Sequence, residues 1–202
     1  MRTAVFSDVH SNLEALQAGH DLGVGRWVCL GDVVGYAADP EACIALVSDM
    51  AAVILQGNHD ATVAGVQSDE YFNSYAQRSV EWTRQRLTAE NLANLRGLSL
   101  IHADVESFFV HAEPGQPQAW NYVCDATDAA LALDVVSERL LYVGHSHLAF
   151  ICAAAEEVYT VLETETDSVE LVRVFYNVSA TQQKILDAGL PRFLADRLNQ
   201  GC

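Results

Sequence analysis

Carboxylate, amide and imidazole side chains follow several short apolar runs of this chain. The clearest case is Gly57-Asn58-His59-Asp60, which comes directly after the apolar run 52–55. An amide oxygen is a poor metal ligand alone, and an imidazole can either bind a metal or carry a proton. This group therefore indicates metal binding or acid–base chemistry, provided that other parts of the chain supply stronger ligands.

Further candidate ligands lie elsewhere in the chain. They are Asp8, His10, Asp32, His111, His145 and His147. Alternate residues of an extended segment point the same way, so Asp8 and His10 can reach one ion. His145 and His147 have the same spacing and follow a glycine. Asp32 also follows a glycine, which lets the backbone approach an ion, and its two carboxylate oxygens can bridge two cations.

Each of these signals alone has an ordinary structural explanation, such as a Gly-Asp turn or two unrelated surface histidines. Together they do not, because five separate strands would each have to end in metal-capable side chains by accident. Two histidines compete for one position. His111 closes the apolar run 108–110 and enters a loop rich in proline and glycine, as the other candidates do, whereas His102 is interpreted as a strand residue.

Short strands alternating with helices must position these side chains. Apolar runs predict strands at 3–7, 27–30, 52–55, 98–102, 107–111 and 140–143. Helices are predicted after Ser11 or Asn12, from Pro40, twice within 68–97, over 125–137, and near the C-terminus over 181–188 and 191–199. We interpret the segment 171–176 as a sheet edge that the last helices cover, with no evident chemistry.

Length and composition favour a single domain over residues 1–202. The chain is 50% hydrophobic, which is enough for one sizeable core, and no low-complexity or Pro/Gly/Ser-rich linker divides it. The N-terminus enters a strand-like segment with no signal-peptide pattern, and the longest apolar run, 148–155, is too short to cross a bilayer. We therefore predict a cytoplasmic protein with no membrane partner.

Charge and cysteine content argue against two further classes of protein. The net charge of -16 disfavours binding of a nucleic-acid polymer, because such binding depends on Lys and Arg side chains that neutralise phosphates. The five cysteines are odd in number and lack Cys-x-x-Cys spacing. They indicate neither a disulfide framework nor a cysteine-based zinc site.

The order and spacing of the polar motifs resemble the calcineurin-like metallophosphoesterase superfamily. The resemblance rests on Asp8-x-His10, Gly31-Asp32, Gly57-Asn58-His59-Asp60, His111 and Gly144-His145-x-His147, and it spans most of the chain. Finer details resemble a bacterial and archaeal branch of small phosphodiesterase-like proteins. These details are the segment 31–36 with Pro40, Trp82-Thr83-Arg84, and the closing Ala188-Gly189-Leu190-Pro191.

The resemblance implies an α/β fold in which a two-sheet β-sandwich is flanked by helices, in a four-layer α/β/β/α arrangement. It also implies a dinuclear metal centre at one end of the sandwich. By motif, Asp8, His10 and His147 would hold one divalent ion, Asn58, His111 and His145 would hold the other, and Asp32 would bridge both. Mixed oxygen and imidazole donors suit manganese, iron, zinc or similar ions better than magnesium or calcium.

The function implied by the resemblance is that of a metallophosphoesterase. Its substrate would be a small phosphate ester, either a phosphodiester or a phosphomonoester of nucleotide-like size. A hydroxide activated by the two metal ions would attack phosphorus, so no Ser or Cys nucleophile is needed. His59 would protonate the leaving oxygen, and Asp60 would orient a ligand or His59.

The chain departs from the family pattern in two places. Protein-phosphatase relatives carry an Asp and an Arg a few residues after the bridging Asp, where this chain has Gly35 and Tyr36. His59 therefore lacks that Asp as a partner, and a phosphoprotein substrate is less favoured. The branch also carries a Gly/Pro-rich segment ending in Arg after its last histidine pair. Here we interpret the segment 152–167 as two plain strands. One wall of the pocket therefore differs from that of the branch, and the arginine that would bind phosphate is replaced.

Two alternative functions stay open from the sequence. The chain could be a protein serine/threonine phosphatase, or a catalytically weak binding scaffold of the same fold. Retention of every candidate ligand and of His59 argues against the scaffold. The sequence indicates no oligomeric state.

Overall fold

The computed structural model describes residues 2–20, 22–152 and 169–200, and it contains two three-stranded sheets. The first sheet consists of the parallel strands β1 (Thr3–Phe6), β2 (Arg26–Cys29) and β3 (Val53–Ile54). The second consists of β4 (Ile101–Ala103), β5 (Ser107–Val110) and β6 (Leu140–Val143). Strand β4 is antiparallel to β5, and β5 is parallel to β6. A single bridge between Leu55 and Ser99 links the ends of the two sheets.

Helices connect and cover the strands. In chain order they are α1 (Leu13–His20), α2 (Pro40–Met50), α3 (Asn58–Val63), α4 (Ser74–Arg84), α5 (Ala89–Arg96), α6 (Ala126–Leu133), α7 (Val178–Asp187) and α8 (Arg192–Asp196). Short 3-10 helical turns cover Pro117–Ala119 and Arg197–Gln200. Among the described residues, no helix has the length and apolar character needed to cross a membrane.

Two of the hydrophobic clusters hold the sheets to each other and to the helices. One lies between the sheets and contains Val28, Leu30, Leu55 and Phe109, with Phe109 stacked on Tyr142 at 5.0 Å between ring centroids. The other lies between the first sheet and helices α1, α2, α4 and α5, and its buried members include Leu16, Cys43, Val80 and Leu95. Burial on both faces explains why the strands of the first sheet are short apolar runs rather than alternating patterns.

The predicted fold class is confirmed, since two sheets are flanked by helices. The predicted strands and helices lie close to their observed positions, and Asn12 accepts the amide of Ala15 at 3.2 Å, as expected of a residue that precedes α1. One difference is that Asn58 begins helix α3 instead of extending the strand end. Another is that the segment 171–176 forms no strand with any described residue.

The sheet-edge prediction for 171–176 stays a prediction, because the strands predicted beside it, within 152–167, lie almost wholly outside the described residues. Within the segment, Leu171, Val172 and Phe175 are exposed, whereas Val174 and Tyr176 are half-buried. The two strands predicted within 152–167 fall outside the described residues, apart from Cys152, which is in no strand.

A partly buried ion-pair cluster fixes helix α7 to the N-terminal half. The Lys184 ammonium lies 2.6 Å from Glu14 Oε1 and 2.8 Å from Asp39 Oδ2. The Thr181 hydroxyl donates a further hydrogen bond to Glu14 Oε2 at 3.0 Å. Helix α7 is thereby attached to α1 and to the residue that precedes α2.

Replacing Glu14 by glutamine is expected to lower the free energy of unfolding by about 1 kcal/mol near pH 7, because it removes one charge of a partly buried pair. Burial raises the pKa of Glu14, but hydrogen bonds from Lys184 and Thr181 outweigh it and leave the pKa below the ordinary value of 4.5. The contribution of the Glu14 carboxylate to the free energy of unfolding is therefore complete above pH 4.5, and it is lost as the pH falls through the folded-state pKa of Glu14. Urea unfolding at neutral and acid pH measures it.

The matched control is Asp196→Asn, which removes a charge from the exposed pair of Arg192 and Asp196. We expect almost no change in stability for this variant. If Glu14→Gln lowered the free energy of unfolding at neutral pH by no more than the control does, the stabilising role of the pair between Glu14 and Lys184 would be contradicted.

Candidate metal centre

All seven predicted metal ligands lie in loops or at a helix start directly after strands, at one end of the two sheets. Asp8 and His10 follow β1, Asp32 follows β2, Asn58 begins α3 after β3, His111 follows β5, and His145 and His147 follow β6. Parallel strands deliver the residues after their carboxyl ends to the same edge of a sheet. Residues far apart in sequence are brought together in this way.

The first cluster consists of Asp8, His10 and His147, whose ligand atoms lie within 4.8 Å of one another. His10 Nε2 is 3.1 Å from His147 Nε2, and His147 Nε2 is 3.4 Å from Asp8 Oδ1. The other oxygen, Asp8 Oδ2, accepts the backbone amide of His145 at 3.0 Å. Asp8 Oδ1 is buried and has no hydrogen-bond partner among the described residues. A buried carboxylate oxygen facing two imidazole nitrogens suits a bound cation.

The second cluster consists of Asp32, His111 and His145, again within 4.8 Å of one another. The amide oxygen of Asn58 lies 3.2 Å from His111 Nε2, which places Asn58 beside this cluster. His102 lies in β4, where its backbone is paired with Phe109, and it belongs to neither cluster. Of the two histidines that compete in the sequence, the structure thus brings His111 to the site.

Asp32 lies between the two clusters. Its Oδ2 atom is 3.7 Å from His10 Nε2 on one side and 3.4 Å from His111 Nε2 on the other. Its Oδ1 atom accepts the backbone amide of His59 at 2.8 Å. The side chain is almost completely buried, so its carboxylate faces other site residues instead of solvent.

Backbone carbonyls orient two of the imidazoles. His10 Nδ1 donates to the Val34 carbonyl at 3.2 Å, which turns Nε2 towards the first cluster. His145 Nε2 donates to the Trp120 carbonyl at 2.9 Å and leaves Nδ1 for the second cluster. A histidine that binds a metal commonly donates its other ring N–H to a carbonyl or carboxylate, which fixes the tautomer and the ring orientation.

The charges of the site couple Asp32 to His111. Burial lowers the pKa of His111, but the charge of Asp32 and a hydrogen bond to it outweigh burial and raise that pKa to about 9. Burial raises the pKa of Asp32, yet the surrounding imidazoles, led by His111, hold it well below its ordinary value. Burial lowers the pKa of His10 to about 3, so this imidazole is neutral near pH 7 and has a lone pair to offer.

His59 lies against the site inside an aromatic enclosure. Its ring centroid is 4.5 Å from that of Tyr36, 4.6 Å from that of Phe72 and 4.7 Å from that of His10. Gly35 has a φ of +102°, and a Cβ atom there would lie 2.6 Å from His59 Nδ1. Gly35 and Tyr36, which replace the Asp and Arg of protein-phosphatase relatives, therefore lie directly against His59. Its Nδ1 has no hydrogen-bond partner among the described residues, and burial lowers its pKa to about 4.

Asp60 binds backbone instead of a side chain. Its carboxylate accepts the amides of Gly57 at 3.1 Å, Val33 at 3.3 Å and Val34 at 3.1 Å. Burial and the charge of Asp32 raise its pKa to about 7, against the backbone donors, which lower it. The expected hydrogen bond to His59 or to a ligand side chain is not found among the described residues. Asp60 instead joins the loop that follows Asp32 to the start of α3.

The residues present fit divalent cations. Carboxylate, amide and imidazole donors converge, two imidazoles are oriented from behind, and a buried carboxylate oxygen is left without a hydrogen bond. This mixed donor set suits first-row transition metals. The two halves of the site each have enough ligand atoms for an ion.

Trp120 and Tyr122 are neighbours of the site that no sequence motif indicated. Trp120 supplies the carbonyl that orients His145, and the Tyr122 ring stacks on the His145 ring at 4.2 Å. Both belong to the loop after His111, which is rich in proline and glycine. Two aromatic residues within a polar loop are a signal that could have identified them.

Comparisons with known proteins identify the family of this chain. The sequence model of the calcineurin-like phosphoesterase superfamily domain matches residues 1–166. The uncharacterized protein MJ0912 of Methanocaldococcus jannaschii is 32% identical, with 98% of this chain and 97% of that protein covered.

Solved structures give the same result. A metallophosphoesterase from Sphaerobacter thermophilus is 32% identical, with 100% of this chain and 99% of that chain covered and a TM-score of 0.81. The hypothetical protein PH1004 from Pyrococcus horikoshii OT3 has a TM-score of 0.81 at 16% identity, covering 97% and 96%, which shows a likeness of fold. The chain therefore belongs to the calcineurin-like phosphoesterase superfamily and is a metal-dependent hydrolase of phosphate esters.

Proposed function

We propose that this chain hydrolyses a small phosphodiester or phosphomonoester, of nucleotide-like size, at a centre that binds two divalent cations. Asp8, His10 and His147 would hold one cation, Asn58, His111 and His145 would hold the other, and Asp32 would bind both. The observation that carries the proposal is the position of Asp32 Oδ2, within 3.7 Å of His10 Nε2 and 3.4 Å of His111 Nε2. A carboxylate that lies between two clusters can bind a cation in each of them, which suits a two-metal site.

The two buried cysteines in the described part of the chain do not supply a nucleophile. When bound, the cations supply Lewis acidity, which lowers the pKa of a water molecule and neutralises charge on phosphate oxygens. Cys29 and Cys43 are buried, and burial raises the pKa of both thiols, so neither is a thiolate near pH 7. The buried thiols are therefore unsuited to attack phosphorus, in keeping with hydrolysis by water.

His59 is the proposed proton donor to the leaving oxygen. Its backbone amide is tied to Asp32, and its ring contacts that of His10, so the imidazole lies beside both the shared carboxylate and the first cluster. Because its pKa is about 4, this role requires that the negative charge of a bound phosphate raise the pKa. The aromatic enclosure fixes the ring position that a hydrogen-bonding carboxylate fixes in protein-phosphatase relatives.

The size of the adjoining cleft supports a small substrate. A cleft of about 430 Å³ opens beside Asp8, His10 and His147. This volume lies within the range of pockets that enclose small organic ligands. A compact organic phosphate fits such a space better than a folded phosphoprotein does.

The wild-type protein with added manganese is expected to hydrolyse bis-p-nitrophenyl phosphate. Asp32→Asn should lower kcat/KM by about 100-fold or more, because the shared ligand loses its charge. His102→Gln is the matched control, since His102 lies outside both clusters, and it should retain wild-type turnover. Turnover of a phosphopeptide that exceeds that of the diester would instead favour a protein phosphatase.

Manganese binding is expected to reach two ions per chain in equilibrium dialysis. His147→Ala should remove binding at the first cluster, and His111→Ala should remove binding at the second, so that each variant retains about one ion. His102→Ala is the control and should bind as the wild type does. A stoichiometry of one ion in the wild type would rule out the two-metal centre.

His59→Gln is expected to affect esters with poor leaving groups more than esters of p-nitrophenol. An alkoxide needs a proton as it leaves, so kcat/KM for an alkyl phosphodiester should fall by about 100-fold or more, whereas the p-nitrophenyl ester should lose less. Manganese content should stay unchanged, because His59 is not a proposed ligand. Equal losses for both classes of ester would contradict the role of His59 as a proton donor.

A further inference from the structure

The cleft beside the first cluster is closed by residues from the C-terminal end of the chain. Asp8, His10 and His147 line one end of it, and Tyr36 lines a wall. The remaining lining includes Tyr176, Ile185, Leu194, Arg197 and Leu198. These C-terminal residues follow the region that the family match covers, which ends at residue 166. The chain therefore completes its cleft with residues outside the family match.

Arg197 is the only positively charged side chain among the residues that line this cleft. All eleven Lys and Arg residues of the chain belong to its described part, and the other ten do not line the cleft. Lys184, for example, pairs with Glu14 and Asp39, and Arg26 pairs with Asp104. A phosphate ester is an anion, and the net charge of this chain is -16. A positively charged side chain beside the site would therefore offset the electrostatic repulsion between the protein and its substrate.

The position of Arg197 is fixed by packing. The carbon atom of its guanidinium lies 4.5 Å from the centroid of the Tyr36 ring. That ring is itself 4.6 Å from the ring of His10 and 4.5 Å from that of His59. Tyr36 therefore contacts the guanidinium of Arg197 as well as the rings of His10 and His59.

The segment that carries Arg197 is attached firmly to the protein. Leu194 and Ala195, three and two residues before Arg197, are each 1% exposed. They pack in a cluster with Ala37, next to Tyr36, and with Ile185 of helix α7. The loop after Asp32 and the C-terminal segment therefore form one packed unit on the wall of the cleft.

We propose that Arg197 is a substrate-binding residue whose guanidinium donates hydrogen bonds to a non-bridging oxygen of the substrate phosphate. This inference rests on the proposed function. A guanidinium carries five N–H groups, so the contact with Tyr36 is compatible with hydrogen bonds from other N–H groups to a phosphate. Its planar fork matches two phosphate oxygens, and it keeps its charge at every working pH.

The test compares Arg197→Met, Arg197→Gln and Arg197→Lys with Arg192→Met as the matched control. Arg192 lies in the same C-terminal segment, but its side chain is 79% exposed and it does not line the cleft. Inorganic phosphate is titrated calorimetrically into each manganese-loaded protein. The KM and kcat for bis-p-nitrophenyl phosphate, the manganese content and the melting temperature are measured alongside.

Phosphate affinity is expected to fall about 10- to 100-fold in Arg197→Met and Arg197→Gln, as for the loss of a charged hydrogen bond. The KM should rise by a similar factor, while manganese content and melting temperature stay near those of the wild type. Arg197→Lys should recover part of the affinity because it keeps the charge, and Arg192→Met should behave as the wild type.

Phosphate affinity in Arg197→Met and Arg197→Gln equal to that of Arg192→Met would overturn the assignment. Loss of manganese or unfolding in every Arg197 variant would overturn it as well, since Arg197 would then be a structural residue. A wild-type protein that binds phosphate through Arg197 but hydrolyses no ester would refute the proposed function alone. The calorimetric result thus separates the two failures.

Discussion

The site depends on loops whose backbone is held in an unfavourable conformation. Five of the seven candidate ligands have a positive φ, namely Asp8, His10, Asp32, His145 and His147. This conformation costs a non-glycine residue about 1–2 kcal/mol. The first two loops persist because backbone hydrogen bonds of 2.9 to 3.0 Å join them, from the amides of Asp8 and His10 to the carbonyls of Gly31 and Asp32. The carboxylate of Asp60 holds the second loop to the start of α3.

Two different devices orient the imidazoles of the site. Backbone carbonyls hold His10 and His145 by hydrogen bonds, which fix the nitrogen that faces the cluster. His59 is held by packing between Tyr36 and Phe72, with Gly35 providing the space for its ring. Hydrogen bonds suit ligands whose lone pair must point at an ion. Packing instead holds the ring of His59 while its Nδ1 has no hydrogen-bond partner among the described residues.

Local patterns in the sequence predicted the strands and most helices. They also predicted that the ligands converge, because the carboxyl ends of parallel strands lie at the same edge of a sheet for any loop conformation. They could not predict contacts that the tertiary structure creates. The Trp120 carbonyl reaches His145 across 25 residues, and Arg197 reaches Tyr36 from the far end of the chain. Nor can a pattern show burial, since the apolar side chains of Leu171, Val172 and Phe175 are exposed.

Each cluster draws its ligands from both sheets. Asp8 and His10 come from the first sheet and His147 from the second, and Asp32 likewise faces His111 across the sandwich. A cation in either position would therefore tie the two sheets together, and by mass action the folded state would gain stability with the logarithm of the free metal concentration. The supply of metal in the cell would then govern how long the folded chain survives degradation, in addition to how fast it works.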